Sequence, residues 1–281
     1  MKIVTPAVVA GVAGKQPEVL RFAARQARLA NAGMQVIHAT GLTDLATALI
    51  AGVDVSDSMQ AAGQFVLEDA KQFVKVELGN PDAEFILSGD EPIHTLERAA
   101  ANASMLILGA DDVQWYARLL RTKIAGYLAL HAPCPVVVVP ESHDRESPDG
   151  HVVVTLDGDT AAVGPLRFAF EQASARDTTL HVIHAVPPAT MVGDVADLQA
   201  NMSEILAGWR AEFPDVDVEL AFGVGDPQDV VAGLTDRAEL VVVGRPHQGT
   251  MPFAISRALA FNLLRHAGCA VAVVPADYPG A

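Results

Sequence analysis

Two kinds of apolar spacing alternate along this chain. Short runs without a polar position, such as VVVV at 136–139 and LVVV at 240–243, are separated by longer amphipathic stretches. In those stretches apolar residues recur every three to four positions, most clearly in LRFAARQARLANA from residue 20. Uninterrupted apolar runs predict strands buried on both faces, which is the signature of a parallel sheet covered by helices. Strands are expected at Ala7–Val12, Gln35–Ala39, Ala83–Leu87, Met105–Leu108 and Val136–Val139, and again at 152–156, 180–185, 217–222, 240–243 and 270–274. Helices fall between them, near 16–32, 57–78, 92–102 and 117–131, then near 161–175, 192–212, 227–236 and 252–266. Strand–helix alternation with right-handed crossovers gives a doubly wound α/β fold.

The series runs twice because the chain repeats itself. LHAPCPVVVVP at 130–140 returns as RHAGCAVAVVP at 265–275, LRFA at 20–23 returns at 166–169, and QVIHA at 35–39 returns as HVIHA at 181–185. Two copies of about 140 residues are two domains, since each is large enough to enclose its own core. We place them at 1–141 and 150–281, joined by the polar, turn-rich ESHDRESPDG at 141–150. The opening MKIVTPAVVAGVAGK has the look of a leader peptide, but AVVAGVAG at 7–14 matches HVVVTLDG at 151–158 in mid-chain, so it is expected to be a first strand.

Composition narrows the function. Of 281 residues, 51% are hydrophobic and only 5% aromatic, so the cores must be built mainly from Ala, Val, Leu and Ile. A net charge of −15 argues against a nucleic-acid or anionic-membrane surface, which needs clustered Lys and Arg. No apolar run approaches the roughly 20 residues that cross a bilayer. The two cysteines, Cys134 and Cys269, occupy the same slot in each copy and read as small buried hydrophobes, consistent with a reducing cytoplasm.

A strand ending in LDGD, a fourth ending in VVVG and the HAPCPV run opening the fifth resemble the universal stress protein family, as a tandem pair. The resemblance implies five-stranded parallel sheets of Rossmann-like order 3-2-1-4-5. It also implies an intramolecular pseudo-dimer of the two domains through their fifth strands, with a homodimer of the whole chain and unidentified protein partners to be expected. Family members that bind ATP carry an aspartate after strand 1 that reads adenine. After strand 4 they carry G-x-x-G, nine residues, then G-Ser/Thr, whose backbone N–H groups cradle phosphates. In the first copy Ala13 replaces the aspartate, Asp112 the second glycine, and Thr122-Lys123 the late pair, while Gly14 and Gly109 remain. Like charges about 4 Å apart repel by about 4 kcal/mol at an effective dielectric near 20, so Asp112 opposes a phosphate. The second copy keeps Asp157, Gly158 and Gly244, but Pro246 removes an N–H donor, His247 replaces the second glycine and Arg257-Ala258 the late pair. Gly249 leaves the loop some freedom, and Arg245, His247 and Arg257 offer side-chain phosphate contacts. ATP or AMP is therefore expected, if anywhere, in the second domain.

The duplicated histidines, His38/His184 and His131/His266, read as hydrogen-bonded structural groups at the ends of elements. Asp111, Asp112, Asp215 and Asp217 read as solvated loop carboxylates, and Trp115 and Tyr116 as packing residues. No nucleophile elbow and no zinc-protease helix occurs. Three readings follow: a non-enzymatic stress-response protein that binds proteins or a small ligand; an ATP- or AMP-sensing protein using the second domain; and a nucleotide-dependent enzyme of the same fold group. The last lacks any H-I-G-H or S-G-G-x-D-S phosphate motif.

Overall fold

Consecutive strand residues point to opposite faces of a sheet, so a run buried at every position is covered on both sides. Val8, Val9 and Ala10 are such a run, as are Val136–Val139, Val152–Val154 and Ala270–Val274. Each fully buried Val or Leu contributes roughly 1.5–3 kcal/mol. The computed structural model describes residues 6–41, 56–110, 124–141, 150–156, 163–186, 195–225, 230–231, 238–245, 260, 262–265 and 267–280. They fall in two compact units, residues 1–141 and 142–281.

In the first unit the order is β1 (Ala7–Gly11), α1 (Pro17–Leu29), β2 (Met34–Ala39), α2 (Ser56–Gln72), β3 (Glu84–Ser88), α3 (Pro92–Ala100), β4 (Ala103–Gly109), α4 (residues 124–131) and β5 (Val136–Val139). Every pairing is parallel and the sheet runs β3-β2-β1-β4-β5, the expected winding. The second unit repeats it with β6 (His151–Thr155), α5 (Val163–Arg176), β7 (Leu180–Val186), α6 (Val195–Glu212), β8 (Val218–Val224), β9 (Ala238–Gly244) and β10 (Ala270–Val274). Its sheet runs β8-β7-β6-β9-β10. Described helical residues 230–231, 260 and 262–265 fall within the last two expected helices. Both units share one irregularity. Ala7 faces Ala103 but Val8 faces Met105, and likewise His151 faces Ala238 but Val152 faces Leu240.

The first helices of the two units share their C-terminal closure but not their N-terminal devices. Proline at the start of α1 lacks an N–H that would be orphaned there, and Glu18 and Arg28 complement the helix dipole. Both helices end on a left-handed residue, Asn31 at φ 47° and Asp177 at φ 53°. Behind these, Ala32 N–H reaches Ala27 O at 2.9 Å and Thr178 N–H reaches Ala173 O at 3.1 Å, closing the last turn. One expectation is refined. The helix expected over 57–78 is α-helical to Gln72 and then widens into a π-turn at Phe73–Glu77, a change of pitch that apolar spacing does not encode.

At the start of α5, Gly164 lies under the chain leaving β10. A Cβ there would sit 2.2 Å from Pro275 O and 2.7 Å from Ala276 O. Backbone cannot step aside as a side chain can, so Gly164→Ala is expected to cost about 1–3 kcal/mol. Gly208→Ala in α6 meets nothing within 4 Å and should stabilise by about 0.5–1 kcal/mol. Denaturant midpoints of the two variants, moving in opposite directions, check the contrast.

Candidate functional site

In an open parallel sheet the ligand crevice lies beyond the carboxyl ends of the strands, where the winding reverses. Here that point is between β1 and β4 in the first unit and between β6 and β9 in the second, since each first strand is flanked by the second and fourth.

The exit of the first strand is fixed twice. Val12 N–H donates to Ile37 O at 2.9 Å, and Leu156 N–H to Ile183 O at 2.9 Å. The duplicated histidines of the second strand then close back on the same residues. His38 Nδ1 lies 2.8 Å from Val12 O, and His184 Nδ1 lies 2.6 Å from Leu156 O. A carbonyl only accepts, so each Nδ1 carries the proton. These imidazoles are positioning groups that hold the ends of the first strands at Val12 and Leu156. The ring of His184 also packs edge-on against Phe222, with centroids 6.2 Å apart. His131, at the end of α4, is exposed, stacked on Tyr127 at 4.2 Å and hydrogen-bonded to its carbonyl at 2.7 Å. The Glu97 carboxylate hydrogen-bonded to Tyr127 raises that phenol above its ordinary range.

The exit of the fourth strand is tied to the fifth. Ala110 N–H donates to Val139 O at 2.8 Å, and Arg245 N–H to Val274 O at 2.7 Å. Gly244 and Arg245 therefore stand at the carboxyl end of β9. Gly244 faces the pyrrolidine of Pro165, whose Cγ would be 3.3 Å from a Cβ there. Asp157, Gly158, His247, Gly249 and Arg257 lie outside the described residues, as do His266, Asp111, Asp112, Trp115, Tyr116, Thr122 and Lys123.

The first unit's crevice holds a residue that spacing did not single out. Gln16 precedes α1, yet its side chain makes no capping bond to that helix. It turns back instead, and Oε1 accepts the Ala13 N–H at 3.0 Å. Its Nε2 rests on the bare face of Gly109, 2.2 Å from where a Cβ would be. One amide thus touches both lips of the crevice. The signal was available by comparing copies. Aligning Leu20 with Leu166 places Ala162 opposite Gln16.

A second difference between the copies is buried. The Arg176 and Glu239 side chains are 1% and 3% exposed and meet at 3.0 Å, Nε to Oε1. Arg176 Nη1 also donates to Gln172 O at 3.1 Å and Gln172 Oε1 at 2.6 Å. The first unit has Gln26, Ala30 and Ser104 at these positions. There Gln26 Nε2 and Ser104 Oγ are buried without a hydrogen-bond partner among the described residues.

Away from the crevice, a cleft of about 400 Å³ at the amino ends of β6–β8 is lined by His151, His181, Asp177, Asp215 and Asp217. Asp215 Oδ2 accepts the Ser174 hydroxyl at 2.5 Å. Among the described residues no three His, Cys, Asp or Glu side chains are placed to hold a metal ion. Cys134 and Cys269 are buried, at 6% and 2% exposure. No described helix is long and apolar enough to cross a membrane.

Comparison with known proteins agrees with this geometry. The profile of the universal stress protein family matches residues 7–140 and 150–275. A universal stress protein of Mycobacterium tuberculosis H37Rv is 28% identical over 285 residues, covering 97% of each chain. Another, from Mycolicibacterium smegmatis, is 27% identical over 251 residues, covering 82% of this chain and 83% of that one. Among solved structures, a universal stress protein from Archaeoglobus fulgidus covers 95% of both chains at 19% identity with a TM-score of 0.71, a likeness of fold.

Proposed function

The chain belongs to the universal stress protein family, with two family domains in tandem, and on that footing we propose that it is a non-enzymatic stress-response protein acting by binding. Its ligand crevice is the one in the second domain, and the ligand class is an adenine nucleotide, ATP or AMP. The supporting observation is the asymmetry of the two crevices. In the first, Gln16 bridges Ala13 and Gly109. The second copy has no amide side chain between Asp157 and Pro165, and Asp157, Gly158 and Gly244 keep the family pattern.

In this reading Asp157 accepts from the adenine edge, Gly244 leaves room at the end of β9, and Arg245, His247 and Arg257 supply charge to the phosphates in place of missing backbone donors. Occupancy changes what the chain binds or how it associates. A purely protein-binding role, with the crevice vestigial, is the second reading; the loss of G-Ser/Thr at Arg257-Ala258 supports it.

Titration calorimetry of the intact chain with ATP and AMP separates the two. The sensor reading expects at most one nucleotide per chain. Asp157→Ala removes a charge-assisted hydrogen bond of about 1.5–3 kcal/mol and should weaken binding by roughly ten- to a hundredfold. Equal affinity in the variant removes the sensor. Two nucleotides per chain, or ATP turnover that a single substitution destroys, removes the whole proposal.

A further inference from the structure

The role of Gln16 goes further than the absence of a ligand residue in the first domain. We infer that its side chain is a built-in occupant of the first crevice, a plug that excludes small molecules there and confines binding to the second domain. This rests on the proposed function for the class of ligand, though not for the geometry.

Gln16 stands at the head of α1, where a side chain ordinarily reaches forward to the unsatisfied N–H groups of the first turn. Its carbonyl does begin the helix, accepting from Leu20 N–H at 3.3 Å. Its amide does not follow that direction. By accepting from Ala13 it consumes a donor at the exit of β1, and by resting on Gly109 it fills the space that the missing side chain leaves at the end of β4. The contact needs a glycine: any Cβ at position 109 would overlap Nε2 and lie 3.1 Å from Cδ. A bare backbone that the family pattern gives to phosphate is here given to an amide. Val19 lies beside it, with Cγ2 3.3 Å from that same Cβ position, which closes the crevice on the α1 side. In the second domain the Val19 equivalent is Pro165, packed on Gly244 in the same way, while the connection from Asp157 to Pro165, two residues longer, contains no amide side chain. In sequence, then, the two copies differ at the plug.

The test uses the full chain and adenosine, which carries no phosphate for Asp112 to repel. Ala13→Asp alone supplies the first domain with the carboxylate that the second has at Asp157, and leaves the plug in place. Ala13→Asp/Gln16→Ala supplies it and removes the plug, and Ala13→Asp/Gln16→Ser does so with a smaller change. Amide resonances of Gly14 and Gly109 report the first domain during titration into the millimolar range. In both unplugged variants they should shift saturably, with an affinity roughly tenfold or more above that of Ala13→Asp, the gain for one displaced hydrogen bond and its volume. Equal affinity for Ala13→Asp and the double variants overturns the plug, and so does silence at Gly14 and Gly109 in well-folded double variants. Gly244 reports the second domain in the same spectra. Silence there, with the first-domain result intact, defeats the nucleotide reading and leaves the plug standing. Shifts at Gly244 with no effect of unplugging do the reverse.

Discussion

Arg176→Ala is expected to destabilise the second domain by roughly 3–5 kcal/mol, because it leaves the Glu239 carboxylate buried without its guanidinium. The two side chains are 1% and 3% exposed, so water cannot replace the lost partner cheaply. Glu239→Ser alone should cost a similar amount by leaving the buried Arg176 charge without its carboxylate. The double variant Arg176→Ala/Glu239→Ser reproduces what the first domain carries at Ala30 and Ser104, and should be far milder than the sum of the single changes. Denaturant unfolding followed by tryptophan fluorescence checks this. The chain has two tryptophans, and in a Trp115→Phe background only Trp209 reports. Trp209 is well placed for it, stacked on Phe170 with centroids 5.7 Å apart. Additive costs across the cycle would show that the ion pair is not a coupled unit.

Phe168→Ala should cost about as much, roughly 3–5 kcal/mol, for a different reason. Phe168 is 1% exposed and lies in the core face of α5. Its ring also receives Tyr278 edge-on at 5.5 Å, and the Tyr278 hydroxyl donates to Glu171 Oε2 at 2.9 Å. Removing the ring opens a cavity and also releases the segment beyond β10 from α5. Tyr278→Phe keeps the ring contact and loses one hydrogen bond, so it should cost only about 1 kcal/mol. Limited proteolysis separates the effects. Cleavage near residues 275–280 should accelerate strongly in Phe168→Ala and little in Tyr278→Phe.

Much of the frame was legible before any coordinates. The strands Val136–Val139 and Ala270–Val274 appear with the expected bounds, since a run buried on both faces cannot hide its apolar character. Others, such as Ala103–Gly109 and Ala238–Gly244, extend past their apolar centres, because backbone pairing continues through residues whose side chains carry no signal. The widened turn at Phe73–Glu77 was not legible, since one extra residue per turn leaves the apolar spacing nearly unchanged.

Gly244 and Arg245 lie at the end of β9, and His38 and His184 hold the strand exits. Comparing copies flags Gln16 and the Arg176–Glu239 pair as differences, but their partners were missed for a common reason. Each acts on a partner far along the chain, 93 residues away for Gly109 and 63 for Glu239, and only the folded sheet brings such positions together.

The offset between first and fourth strands recurs at Ala7/Val8 and His151/Val152, at the lower margin of each sheet. Above it the rungs run in step, from Val8 opposite Met105 and from Val152 opposite Leu240. Both scaffolds therefore set the first strand against the fourth in the same phase. Side chains on these matched rungs can thus be exchanged between the halves without rebuilding either frame.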